Sequence, residues 1–236
     1  MSVSNRLETR PQSASILSTI IGIVVFGSIW GLVEATLGGA LHLVHFAYKG
    51  AITGGIGMAI MATFLVMYRR PKLVFWLGVI ATLFKPLSAV IYGQPTFAPF
   101  VVNPASAIIL EALGFTLVVS LLFKGFESSI KTRIAAGISA GYLSAILYAV
   151  LASAAGMGNW ASWGLTERVT AALSDGTALA IAGTALLLLG YLVSTKLRPN
   201  FWQLMTAKPK AFYASNIAIM AFCWIVAAVG FYRHLW

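Results

Sequence analysis

The sequence predicts an all-α polytopic transmembrane helical bundle of about seven spans, or six, forming one integral membrane domain over residues 1–236 with its N-terminus in the cytoplasm. Three observations carry this. Hydrophobic residues make up 59% of the chain and charged residues 9%, whereas soluble domains devote about a quarter of their residues to charge. Apolar runs approach or exceed the ~20 residues that cross a hydrocarbon layer, with few charges inside them. The net charge of +10 sits in short connections between those runs. It therefore reports topology and not nucleic-acid binding, which would need a basic face on a soluble fold.

The first span, 15–40, follows Arg6 and Arg10. That arrangement superficially resembles a secretory signal, but the apolar stretch outruns the usual ~7 to 15 residue core of one and reads as an uncleaved first span. Further spans fall at 50–68, 73–92, 100–123, 134–156, 176–195 and 211–232. The segment 160–174 reads either as an interfacial helix, with Trp160 and Trp163 at the headgroup level, or as part of a span. Alternating the connections puts 12 Lys and Arg residues on the N-terminal side, among them Arg69, Arg70, Lys72, Lys131 and Arg133. The other side receives 3, Lys49, Arg168 and Arg233, and Lys85 is left inside a span. By the positive-inside rule the N-terminus is cytoplasmic, the C-terminus external, and the location the cell inner (plasma) membrane.

Small residues recur every fourth position in two spans: Gly27, Gly31, Ala35 and Gly39 in the first, and Gly137, Gly141, Ala145, Ala149 and Ser153 in the fifth. Such stripes let helix backbones approach closely where lipid supplies no hydrophobic drive for association. They serve packing within the bundle, or the first of them serves as a docking surface for a partner membrane subunit.

Motifs of soluble enzymes are absent: there is no Walker lysine, no H-E-x-x-H and no nucleophile elbow. The chain is read as a non-enzyme without a cofactor, any ATPase or redox activity residing in a partner. Its single cysteine, Cys223, builds neither a disulfide framework nor a thiolate metal site. No metal site is predicted either. Glu34 and His45 share a helix face, but His42 lies about 80° away, so the three form no compact ligand set.

Three ionisable residues lie where lipid would otherwise surround them: Glu34 in the first span, Lys85 in the third and Glu111 in the fourth. Each costs roughly 2 to 3 kcal/mol or more near a bilayer centre, so such groups face the bundle interior and find partners. Counted at the helical rise, Lys85 lies ~18 Å from the cytoplasmic end of its span and Glu111 ~16 Å from the external end of its own. Glu34 falls at a similar level, so the three are expected to meet as one cluster. Its bland role is an ion pair that fixes helix register. Its functional role is a ligand site or proton relay, favoured by Pro86 beside Lys85 and by the Asn103-Pro104 step, both of which free backbone carbonyls at depth. His42, His45, Tyr92, Gln94, Asn103, Trp160, Trp163 and Asp175 supply further polar and aromatic groups outward of it. The candidate ligand-binding set is Glu34, Lys85, Glu111, Asn103 and His45.

The stripe Gly27, Gly31, Ala35 and Gly39, the glycine-rich opening of the second span (GAITGGIGMAI, 50–60) and the fourth span (NPASAIILEALGF, 103–115) resemble the substrate-binding membrane subunits, or S components, of energy-coupling-factor vitamin transporters. The resemblance covers roughly the first four spans. It implies a first helix whose small stripe contacts a partner membrane subunit, a vitamin site near the external face, and a separate ATPase. It also implies about six spans with both ends cytoplasmic, from which the external C-terminus read here departs. The reading is thus a membrane transport protein, the solute-binding subunit of an uptake system for a small polar solute. Its alternative is a non-catalytic membrane anchor or accessory subunit of a larger complex.

Overall fold

The computed structural model of the protein describes residues 15–43, 48–91, 93, 95 and 97–233. It is built from α-helices: α1 (Ile16–Leu43), α2 (Lys49–Tyr68), α3 (Phe75–Thr82), α4 (Lys85–Ile91), α5 (Pro99–Ser128), α6 (Ile130–Ala154), α7 (Leu165–Ala207) and α8 (Pro209–Arg233), with short 3-10 turns at Pro71–Leu73 and Gly158–Ala161. Six of these helices are long and apolar enough to cross a membrane, and the protein is a multi-pass membrane protein. Helices suit lipid because the backbone donors and acceptors along each pair within their own segment.

Two expectations are refined by the structure. The third predicted span is two short helices, α3 and α4, broken at Leu83 and Phe84. Pro86 explains the break, because it has no N–H and its ring obstructs the carbonyl one turn back. The chain passes this point on tighter bonds, with the amides of Leu83, Phe84 and Leu87 donating to Ile80, Ala81 and Phe84 carbonyls at 3.1, 3.1 and 3.0 Å. The segment 160–174 is not a separate interfacial helix. After the 3-10 turn and an extended Gly164 (φ −71°, ψ 175°), residues from Leu165 onward run without interruption into a helix of 43 residues. Such a helix is ~64 Å long, about twice the hydrocarbon thickness, so its polar ends project past the apolar layer.

Side-chain contacts fix the direction of every segment. Gly22 near the start of α1 lies against the Tyr68 ring at the end of α2. Arg69, which caps α2 in the left-handed region (φ 56°), pairs with Glu127 near the end of α5. Phe201 of α7 meets both Tyr68 and Phe212 of α8. These ends gather at one pole of the bundle, and Arg69, Arg70, Lys72, Arg133 and Lys196 make it the basic pole. Trp224 of α8 donates to Ser28 Oγ of α1 at 3.1 Å and lies tilted against the Phe84 ring, with centroids 4.7 Å apart, so α8 runs alongside α1. The described chain therefore begins at the basic pole and ends at the opposite, lysine-poor pole.

The small stripes are filled from inside the chain. A Cβ on Gly27 would lie 2.6 Å from Ile80, and one on Gly31 would lie 2.6 Å from Phe84 and 2.8 Å from the Ala81 carbonyl. Ala35 is fully buried with Phe84, Leu87, Cys223 and Ala227. Gly27, Gly31 and Ala35 thus take part in packing within the bundle, against α3, α4 and α8, the first of the two readings the sequence allows. The side chain-bearing face at Gly39 lies outside the described residues. In α6, Gly137 and Gly141 lie against Thr184 and the Ala180 backbone of α7 in the same way.

Candidate functional site

Close approach of backbones decides where the charges go. Because Gly31 lets Phe84 lie flat on α1, Lys85, the next residue, arrives one turn along α1 at Glu34. Lys85 Nζ donates to Glu34 Oε2 at 3.0 Å and to the Glu34 carbonyl at 3.3 Å. Both residues are nearly sealed, Glu34 at 4% and Lys85 at 6% exposure. Taking one partner away from such a pair leaves an uncompensated charge in a low dielectric.

Glu111 reaches the same region through a second missing side chain. A Cβ at Gly54 of α2 would fall 2.7 Å from Glu111 Oε1 and 2.9 Å from Leu179 Cδ1. Glycine at that position therefore admits the carboxyl between α2 and α7. Its neighbour Thr53 lies by the ion pair, since both approach Gly38 of α1, where a Cβ would be 3.6 Å from Thr53 Cγ2 and from Glu34 Oε2 and 3.8 Å from Lys85 Nζ. Glu111 Oε2 is buried and has no hydrogen-bond partner among the described residues. An unpaired buried polar atom of this kind is expensive and calls for an explanation.

All three residues line one cavity of about 390 Å³. Asn103 and Pro104 of α5 line it too, at the point where the proline removes a ladder bond from the helix. Its mouth lies toward the lysine-poor pole and carries Tyr48 and Lys49 from the start of α2, Tyr148 of α6 and Asp175 of α7. Tyr148 is held edge-on to Trp160, with ring centroids 6.1 Å apart, and Trp160 in turn leans on Trp163 at 5.2 Å. Trp30, fully buried one turn along α1 from Glu34, lies on the basic-pole side of the cavity without lining it, and a Cβ on Gly57 would lie 2.6 Å from its ring.

Of the predicted ligand set, Glu34, Lys85, Glu111 and Asn103 share this cavity, whereas His45 lies outside the described residues, as do Tyr92, Gln94 and the side chain of His42. Thr53, Ser144 and Tyr148 escape a sequence reading, because neutral hydroxyls in an apolar helix look like packing residues. Asp175, one turn before Leu179 on α7, carries a signal that the sequence does offer: an acid at the edge of an apolar run. Comparison with protein-family models, with curated proteins and with solved structures finds no match to the chain.

Proposed function

We propose that the protein is the solute-binding membrane subunit of a small-molecule uptake system, similar in role to the S components that its first four spans resemble. The observation that carries the reading is the unpartnered Glu111 carboxyl in a cavity beside the sealed Glu34–Lys85 pair. A register-fixing ion pair needs no such neighbour and no hollow. The volume of about 390 Å³ is that of a small-ligand site, and the mixture of apolar walls with a few convergent polar groups is what such sites present. With the basic pole cytoplasmic, the mouth opens to the exterior, the side from which uptake begins. The seventh segment, α8, adds to the six spans usual in that family and ends, at Arg233, on the mouth side. Energy for release inward would come from a separate ATPase.

The test uses full-length protein in lipid nanodiscs, denatured to release bound small molecules for mass spectrometry. Wild type is expected to release a polar solute and Glu111→Gln, equally folded, to release at least tenfold less. Equal recovery from both proteins, or none from wild type expressed in rich medium, would refute solute binding at this site.

A further inference from the structure

We infer that the cavity takes a monocationic nitrogen base, a small solute whose protonated amine or amidinium group sits on Glu111 and whose less polar body lies against the walls between Tyr148 and Leu179. The inference rests on the solute-binding reading above and names its substrate class.

Charge balance is the main argument. Glu34 and Lys85 neutralise each other at 3.0 Å, which leaves Glu111 as the formal excess at the cavity's inner end. Asp175 and Lys49 also line the cavity, so its carboxylates and amines, three acids and two bases, total one formal negative charge. In a low-dielectric site an unbalanced charge is strongly unfavourable: before binding a proton on Glu111 removes it, and on binding an incoming cation of one unit does so while that proton leaves. An anion would add a charge that nothing in the cavity offsets, and a neutral solute would bring no charged donor to the carboxyl.

Hydrogen-bond capacity agrees with the charge count. Glu111 Oε2 has no donor facing it, and a carboxylate accepts most strongly from a charged N–H. Lys85 holds three donors, two of which go to Glu34. Its third N–H meets an acceptor placed beside the cationic group, so a base that also bears a carbonyl, hydroxyl or ring nitrogen matches the inner end completely. Asp175, a turn outward of Leu179 on α7, adds a second carboxylate along the approach. Acids aligned along a cleft raise the local concentration of cations.

The experiment uses three probes of one shape and different charge: benzamidine (cation), benzamide (neutral) and benzoate (anion). Each is titrated against full-length protein in nanodiscs made of a zwitterionic lipid, with empty nanodiscs subtracted. Benzamidine is expected to bind at least tenfold more tightly than benzamide, and benzoate not at all. Glu111→Gln is expected to abolish the preference for benzamidine, and Asp175→Asn, a change at the exposed mouth that leaves the fold alone, to slow benzamidine association about twofold to threefold. Tighter binding of benzamide or benzoate, absence of benzamidine binding, or an undiminished benzamidine preference in Glu111→Gln would each overturn the cation assignment. The solute-binding reading falls separately, on the released-solute measurement: a neutral or anionic solute released in a Glu111-dependent way would keep that reading and end this one.

Discussion

The two poles of the bundle are built on opposite principles. Toward the basic pole the interior is filled: Phe26, Phe64, Tyr68, Phe201 and Phe212 form a chain of ring contacts with centroids 4.7 to 6.4 Å apart, and Met58, Met61 and Phe115 are fully buried beside them. Toward the other pole the same helices enclose a hollow of about 390 Å³ lined with charge. Trp30 marks the boundary on α1, and Glu34 lies one turn beyond it. The difference teaches that glycine does two jobs in one chain. At Gly27 and Gly57 it brings helices close enough to eliminate space, whereas at Gly54 it leaves room for the Glu111 carboxyl to enter from α5.

The contrast can be broken from the filled side first. Trp30→Ala opens a void in the packed interior between the filled half and the cavity, at an expected cost of about 3 to 5 kcal/mol, read from denaturant unfolding in detergent micelles. A loss under about 1 kcal/mol would mean that the two halves are not separated at Trp30. Next in size is the pair itself. Lys85→Met leaves the Glu34 charge buried and alone and is expected to cost about 3 kcal/mol, most of it recovered in the double variant Glu34→Gln/Lys85→Met. Failure of the double variant to recover would assign the pair's stability to something other than charge compensation.

Gly31→Leu acts on the approach that brings the pair together. Overpacking against Phe84 and the Ala81 carbonyl is expected to cost about 1 to 3 kcal/mol. The same variant should weaken benzamidine binding by moving Lys85, a readout that simple destabilisation would not give in the folded fraction. The smallest effect on stability belongs to Glu111→Gln, expected within about 1 kcal/mol of wild type because no partner is lost. A large destabilisation there would show that Glu111 holds the hollow half together and is not held in reserve.

Much of this was legible in the sequence, for reasons that differ by element. Apolar runs of membrane length located α1, α2, α5, α6 and α8 directly, because lipid demands them. Glu34 and Glu111 in those runs, and Lys85 in the third predicted span, are conspicuous for the same reason, and the expectation that they share a level came from helical rise alone. The break between α3 and α4 was signalled by Pro86 but hidden by the unbroken apolarity on both sides of it. The extent of α7 was hidden by polarity: residues 160–174 read as an interfacial helix or as part of a span, and nothing in Leu165 to Asp175 announces that the helix they begin continues to Ala207. The destination of the first-span stripe was also beyond reach, since Gly27 and Gly31 look the same whether Ile80 and Phe84 or another polypeptide fills them.

The length of α7 has a mechanical consequence. From Leu165 to Arg198 its ladder meets no proline, making a stiff rod of ~50 Å, and a tilt of about 5° around its midpoint carries each tip roughly 2 Å in opposite directions. Asp175 rides ~15 Å in from one tip and moves about 1 Å in such a tilt, while Pro199 supplies a yielding joint just before Phe201 and Trp202 at the other. Motion at the mouth of the hollow is thereby transmitted, as by a lever across the whole bilayer, to the far surface of the molecule.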